Sequence, residues 1–140
     1  ELTVALKEQI DQGLIEVEQR DGKVFVTVGS GGAFPSGTAD LTGEAQRIMD
    51  RIALTAMSPD SSITVTGHTD DVPISNGQFR DNWDLGAGRA ASVVQAIQST
   101  GLISGDRLSA VSKGEMAPLA DNNTAAGREQ NRRIEIEISY

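Results

Sequence analysis

The chain has 140 residues, 15 of them glycine, no cysteine and a formal charge of −8. That length supports one domain with a core and is short for two. The acidic balance argues against a general nucleic-acid or anionic-membrane binder, and the lack of cysteine removes thiol nucleophiles, thiolate metal sites and disulfides. No stretch approaches 18 consecutive apolar residues, so no membrane span or signal peptide is expected. The chain opens on Glu1, which reads as a processed protein or an excised fragment, with any membrane anchor upstream.

Leu2, Leu6, Ile10 and Leu14 recur at spacing four and predict one helix over residues 2–14, with Gly13 near its end. Residues 15–28 alternate at period two on either side of Asp21-Gly22 and predict a β-hairpin. Gly29 to Gly32 reads as a glycine-rich strand exit. It lacks the Gly-Lys-Ser/Thr ending of a phosphate-binding loop. Asp40 or Thr42 caps a helix over about 42–57 that buries Leu41, Ala45, Ile48, Met49, Ile52 and Ala56. Residues 63–66 form a short strand. A long loop over 67–84 follows, of a length that is often functional. A second helix runs over about 87–99, starting near Gly86, with Ala90, Val93, Val94 and Ile97 inward. A strand over 108–111 and a polar loop over 112–123 come next. Asn123 or Thr124 then caps a short helix reaching about Asn131, and an alternating strand over 134–138 closes the chain. The order of strands and helices predicts an α/β (α+β) fold: a mixed sheet with helices mainly on one face. Residues 1–28 form an extension joined to a core over 29–140.

Few residues offer chemistry. His68 is the only histidine and lacks partners for a metal site, and no Gly-x-Ser-x-Gly elbow accompanies it. A strand-end histidine making a local hydrogen bond is the simpler reading. Asp70 and Asp71 follow a strand at Gly67, which allows a ligand or a neighbouring backbone to approach closely. The two acids attract a cation or an ammonium group, or form a solvated acidic loop. Arg89 is placed in the first turn of the second helix, beside free N–H groups, where it suits a carboxylate or phosphate, or pairs with Asp84. Asp70 as acceptor and Arg89 as donor together suit a zwitterion, an ammonium and a carboxylate on one carbon.

Three motifs carry a resemblance. Thr66-Gly67-His68-Thr69-Asp70, then Leu85-x-x-x-Arg89-Ala90, then the run from Asn123 through Gly127-Arg128 and Asn131-Arg132-Arg133 to Glu135, resemble the OmpA-like peptidoglycan-binding domain over about residues 24–140. The resemblance implies a β/α sandwich that holds the peptide stem of peptidoglycan without catalysis, cofactor or metal. It implies that Asp70 and Arg89 grip the amino-acid end of diaminopimelate, with Thr69, Asn82, Leu85, Phe34 and Arg132 completing the site. Gly67 to Ile74 and Asn82-Trp83-Asp84-Leu85, read as part of a longer loop, look like the B subunits of flagellar stators, the sodium-type branch (PomB) nearer than the proton-type (MotB). Residues 2–28 resemble the periplasmic stretch before the domain in those subunits. That family implies the periplasmic part of an inner-membrane protein, a stator A subunit in the membrane, a homodimer and contact with basal-body ring proteins. The alternatives are a domain of an OmpA- or Pal-type outer-membrane protein and, less favoured, a peptidoglycan hydrolase. The family usually has Ser at Gly86, where it resembles an N-cap, and rarely Gly at Gly88. Gly inside a first turn costs up to about 1 kcal/mol relative to Ala.

Overall fold

Strands β1 (Ile15–Arg20), β2 (Lys23–Gly29), β3 (Ser62–His68), β4 (Leu108–Gly114) and β5 (Arg133–Ser139) form one sheet in the order β1-β2-β5-β3-β4. The computed structural model describes residues 2–140, without the side chain of Leu2. The helices are α1 (Leu2–Ala5), α2 (Lys7–Asp11), α3 (Ser30–Ala33), α4 (Gly43–Ala56), α5 (Asn82–Ser99) and α6 (Ala125–Asn131). All strand pairs are antiparallel except β3 with β4, which the α5 crossover makes parallel. The mixed sheet with its helices therefore stands as the sequence predicts.

Local chemistry accounts for the hairpin. Asp21 and Gly22 both take positive φ, 54° and 75°, as a two-residue turn matched to strand twist requires, and Arg20 pairs with Lys23 across it. One face of the sheet is apolar: Val24, Val26, Val28, Ile63, Val65, Ile134, Ile136 and Ile138 are all buried. These residues join one core with the buried stripe of α4 (Ala45, Ile48, Met49, Ile52, Ala53, Ala56) and with Ala90, Val93, Ala96 and Ile97 of α5. Leu41 and Val94 are only partly buried at its margin. Thr42 caps α4 by accepting from the Ala45 N–H, and Thr124 caps α6 by accepting from the Gly127 N–H. Of the paired alternatives at each start, the threonine is the cap.

Five elements differ from the sequence reading. The helix expected over 2–14 is two short helices broken at Leu6, which is fully buried. A strict spacing of four drifts about 40° per step around a 3.6-residue helix, so one straight rod aims such a stripe at one core poorly. Arg51 of α4 donates to the Ala5 carbonyl and to Gln9 Oε1, serving groups at the break. The glycine-rich segment after β2 is the single helical turn α3. β3 and β4 each run longer than expected, to His68 and Gly114.

The largest difference is α5. It begins at Asn82, with Asp81 as N-cap accepting from the Asp84 N–H at 3.0 Å. Asn82-Trp83-Asp84-Leu85 is its first turn rather than loop, and Arg89 lies a full turn further along. Gly86 is therefore no cap, and Gly88 is no first-turn residue. Both permit contact: a Cβ on Gly86 would lie 2.5 Å from Ser112 Oγ, and one on Gly88 would lie 2.8 Å from the Phe79 ring. A Cβ on Gly67 would lie 2.1 Å from the Gly86 carbonyl oxygen. Gly67 thus admits a neighbouring backbone, one of the two roles open to it from sequence.

The amino-terminal helices are short, and Leu6 is their one fully buried apolar side chain among the described residues. Helices this short depend on packing. Amides of residues 7–12 are therefore expected to exchange with solvent well before those of α4. Hydrogen exchange checks this, and equal protection of both would contradict it.

Candidate functional site

A cavity of about 580 Å³ opens between α3, the loop after β3, the first half of α5 and the junction of α6 with β5. All seven residues expected at the site line it: Phe34, Thr69, Asp70, Asn82, Leu85, Arg89 and Arg132. Ser30 and Arg128, which the sequence reading did not single out for a site, line it as well.

Asp70 is held from every side. Its Oδ1 accepts from the Val72 N–H at 3.1 Å, and its Oδ2 accepts from Arg132 Nη1 at 2.7 Å. The Asp70 carbonyl accepts from Thr69 Oγ1 at 2.8 Å and from Asn82 Nδ2 at 3.3 Å. The Asn82 amide also donates to the Val72 carbonyl, so it folds the loop that carries the acid. Thr69 and Asn82 therefore shape Asp70. A carboxylate offers about four lone-pair directions. Each oxygen of Asp70 has one protein donor, so capacity remains for an ammonium group. Asp71 is exposed, and no group of acids among the described residues is arranged to hold a metal ion. The paired-acid cation site is thus replaced by an Asp70–Arg132 ion pair.

Arg89 presents the opposite charge. It is 4% exposed, its Nε donates to the Thr38 carbonyl at 2.8 Å, and its guanidinium lies over the Phe34 ring at 4.9 Å. Its two terminal amino groups have no protein hydrogen-bond partner among the described residues, and it forms no ion pair there. Asp84 instead pairs with Arg80, at the surface. Burial, and then the nearby Arg132 charge, push the Arg89 guanidinium down to about 10, against the pull of Asp70. A buried cation lacking a full charge partner raises the energy of the empty protein. A carboxylate placed against the free fork would supply that partner with a planar match.

His68 lies on the other face of the sheet, with Nε2 2.6 Å from Glu135 Oε2 on the neighbouring strand. Its bond is cross-strand rather than local. Arg133 reaches the same carboxylate oxygen at 3.0 Å. These contacts, the His68 hydrogen bond first, hold the Glu135 carboxyl below its usual value against the opposing effect of burial. The unfolded chain then takes up the proton first as the solution is acidified. The resulting stability is complete above the ordinary carboxylate range and lost as pH falls through the lowered value. Thermal melts at a series of pH values should show this acid loss, and Glu135→Gln should flatten it. An unchanged slope in the variant would contradict the assignment.

The OmpA family matches residues 33–132. This chain belongs to the OmpA family. It is 32% identical to Motility protein B of Bacillus subtilis over 125 residues, 89% of this chain and 48% of that protein. The cell wall anchor of the T6SS from Pseudomonas aeruginosa superposes with a TM-score of 0.91 at 31% identity, covering 99% of this chain and 96% of the other. The periplasmic domain of Helicobacter pylori MotB superposes with a TM-score of 0.80 at 27% identity, covering 89% of this chain and 81% of that one. The chain thus spans about half the length of the motility protein it matches. The resemblance drawn from the three motifs is in this way an observed kinship with OmpA-type and motility B proteins. No helix among the described residues is long and apolar enough to cross a membrane.

Proposed function

We propose that this chain is the non-catalytic, cell-wall-binding part of a flagellar stator B subunit. It holds the peptide stem of peptidoglycan in the cavity between Asp70 and Arg89. The observation that carries this reading is the cavity itself: a buried guanidinium with a free fork and an acid with spare acceptor capacity line one opening. Those are the groups needed for the ammonium and carboxylate of diaminopimelate. Kinship with a motility B protein favours the stator, and with it the periplasm, an inner-membrane anchor on residues outside this chain and a stator A subunit as partner. The sodium-type (PomB) assignment, the homodimer and contact with basal-body rings are finer parts of the same proposal. So is the division into an extension over 1–28 and a core over 29–140.

A second reading makes the chain the wall anchor of a secretion machine. The near-complete overlap with the T6SS anchor, amino-terminal helices and hairpin included, favours it. Both readings require the same ligand. Co-sedimentation with purified peptidoglycan tests that shared requirement: the chain should pellet with the wall and stay in solution without it. Failure to pellet would overturn both readings. Restoration of swimming in a stator-deficient strain by a chimaera carrying this domain separates the first from the second.

A further inference from the structure

The cavity has a charge imbalance that one zwitterion leaves unmet. Its titratable lining residues are Asp70, Arg89, Arg128 and Arg132. Three cations face one anion, in a chain whose formal charge is −8. A zwitterionic group has no net charge, so clamping one between Asp70 and Arg89 leaves the excess in place. Arg132 is engaged with Asp70 at 2.7 Å. Arg128 has no acid partner among the described residues.

Arg128 is nonetheless held in position. Its Nη1 donates to the Asn122 carbonyl at 2.9 Å. Asn122 is fixed in turn by Asn131, which is fully buried and donates to Asn122 Oδ1 at 2.8 Å. Asn131 also accepts from the Leu119 and Ala120 N–H groups and donates to the Ala120 carbonyl, so the whole loop is pinned. The remaining guanidinium nitrogens of Arg128 have no protein hydrogen-bond partner among the described residues. Ser30, also at the cavity, has a buried hydroxyl without a partner among the described residues. A half-buried, anchored arginine with a free edge, at the wall of a cavity already short of anions, is arranged to receive one.

We propose that Arg128 forms a second anion subsite of the cavity, receiving a ligand carboxylate other than the one that meets Arg89. The cavity then selects a peptide carrying at least two carboxylates. This rests on the peptide-stem reading above and adds a specificity determinant to it. A stem peptide ending at diaminopimelate offers two candidates besides the zwitterionic end: the α-carboxylate of a γ-linked glutamate and the chain-side carboxylate of diaminopimelate.

Calorimetry with three synthetic peptides decides it. The probes are L-Ala–γ-D-Glu–diaminopimelate, the same peptide amidated at the glutamate α-carboxyl, and the same peptide amidated at the chain-side carboxyl of diaminopimelate. One amidation should weaken binding to the parent protein about tenfold, as loss of one charge-assisted bond implies. Arg128→Gln should weaken the free acid by the same factor and bind that amide as the parent does. Equal losses for all three peptides, or none, would overturn the subsite while leaving the peptide-stem reading intact. If Arg128→Gln fails to melt cooperatively, the parent alone decides, and equal affinity for all three peptides overturns the subsite. A parent that binds none of them overturns the peptide-stem reading and the subsite together.

Discussion

Arg89→Met should weaken binding of a diaminopimelate peptide by about ten- to a hundredfold while leaving the melting temperature unchanged or higher. The binding loss follows from removing one charge-assisted prong of the clamp, worth about 1.5–3 kcal/mol. The stability gain follows from burial. Arg89 is 4% exposed, pairs with no acid among the described residues and is held by one neutral carbonyl. Replacing such a charge by an apolar chain of similar length is often neutral or stabilising. Arg89→Lys should bind nearly as poorly as the Met variant, because an ammonium lacks the planar pair of donors. Asp70→Asn should also lose binding, but at a cost in stability, since it removes the partner of Arg132. A double-mutant cycle with melts alongside checks the set. Parent-like affinity in both single variants would place the ligand elsewhere. A strongly destabilised Arg89→Met would make that residue a structural one.

Gly67→Ala should be the most damaging methyl addition at the β3–α5 contact. Its new carbon would sit 2.1 Å from the Gly86 carbonyl oxygen, a backbone atom of a packed helix. Neither partner can rotate away, so α5 must lift from the sheet. Overpacking typically costs 1–3 kcal/mol and occasionally more. About 3 kcal/mol or more is expected here, a fall in melting temperature of about 10 °C. Gly86→Ala should cost less, because its nearest neighbour is the hydroxyl of Ser112, a side chain that can turn. Since α5 carries Arg89, Gly67→Ala should also weaken binding. Differential scanning calorimetry of the two variants tests the ordering, and equal melting temperatures would contradict it.

The elements with their own local chemistry were legible in the sequence. Asp21-Gly22 names its turn, the pairs Asp40/Thr42 and Asn123/Thr124 mark two helix starts to within two residues, and the alternating isoleucines of β5 name a buried face. The start of α5 was legible in principle. Asp81 followed three residues later by Asp84 has the form of an N-terminal cap. It was masked by two glycines at 86 and 88, whose true reason is the closeness of β3, Ser112 and Phe79. The break at Leu6 had no local signal and comes from packing against α4. The site is a different case. Its members come from α3, the loop after β3, α5 and the α6–β5 junction, and the Asp70–Arg132 pair spans 62 residues. No periodicity links such positions; residue chemistry paired Asp70 with Arg89, and the family resemblance added the rest. Arg128 stood inside one of the family motifs, and only its place at the cavity wall gives it a role.

In the proposed site Asp70 and Arg89 clamp both charges of one amino-acid end. Comparing two tripeptides that differ at that end alone tests this clamp most directly. One is L-Ala–γ-D-Glu–diaminopimelate. The other carries lysine in place of diaminopimelate, which keeps the distal ammonium and lacks the distal carboxylate. Titration calorimetry should show the diaminopimelate peptide binding at least about tenfold more tightly, a preference that vanishes in Arg89→Met. Equal affinity of the two peptides for the parent protein would contradict the clamp.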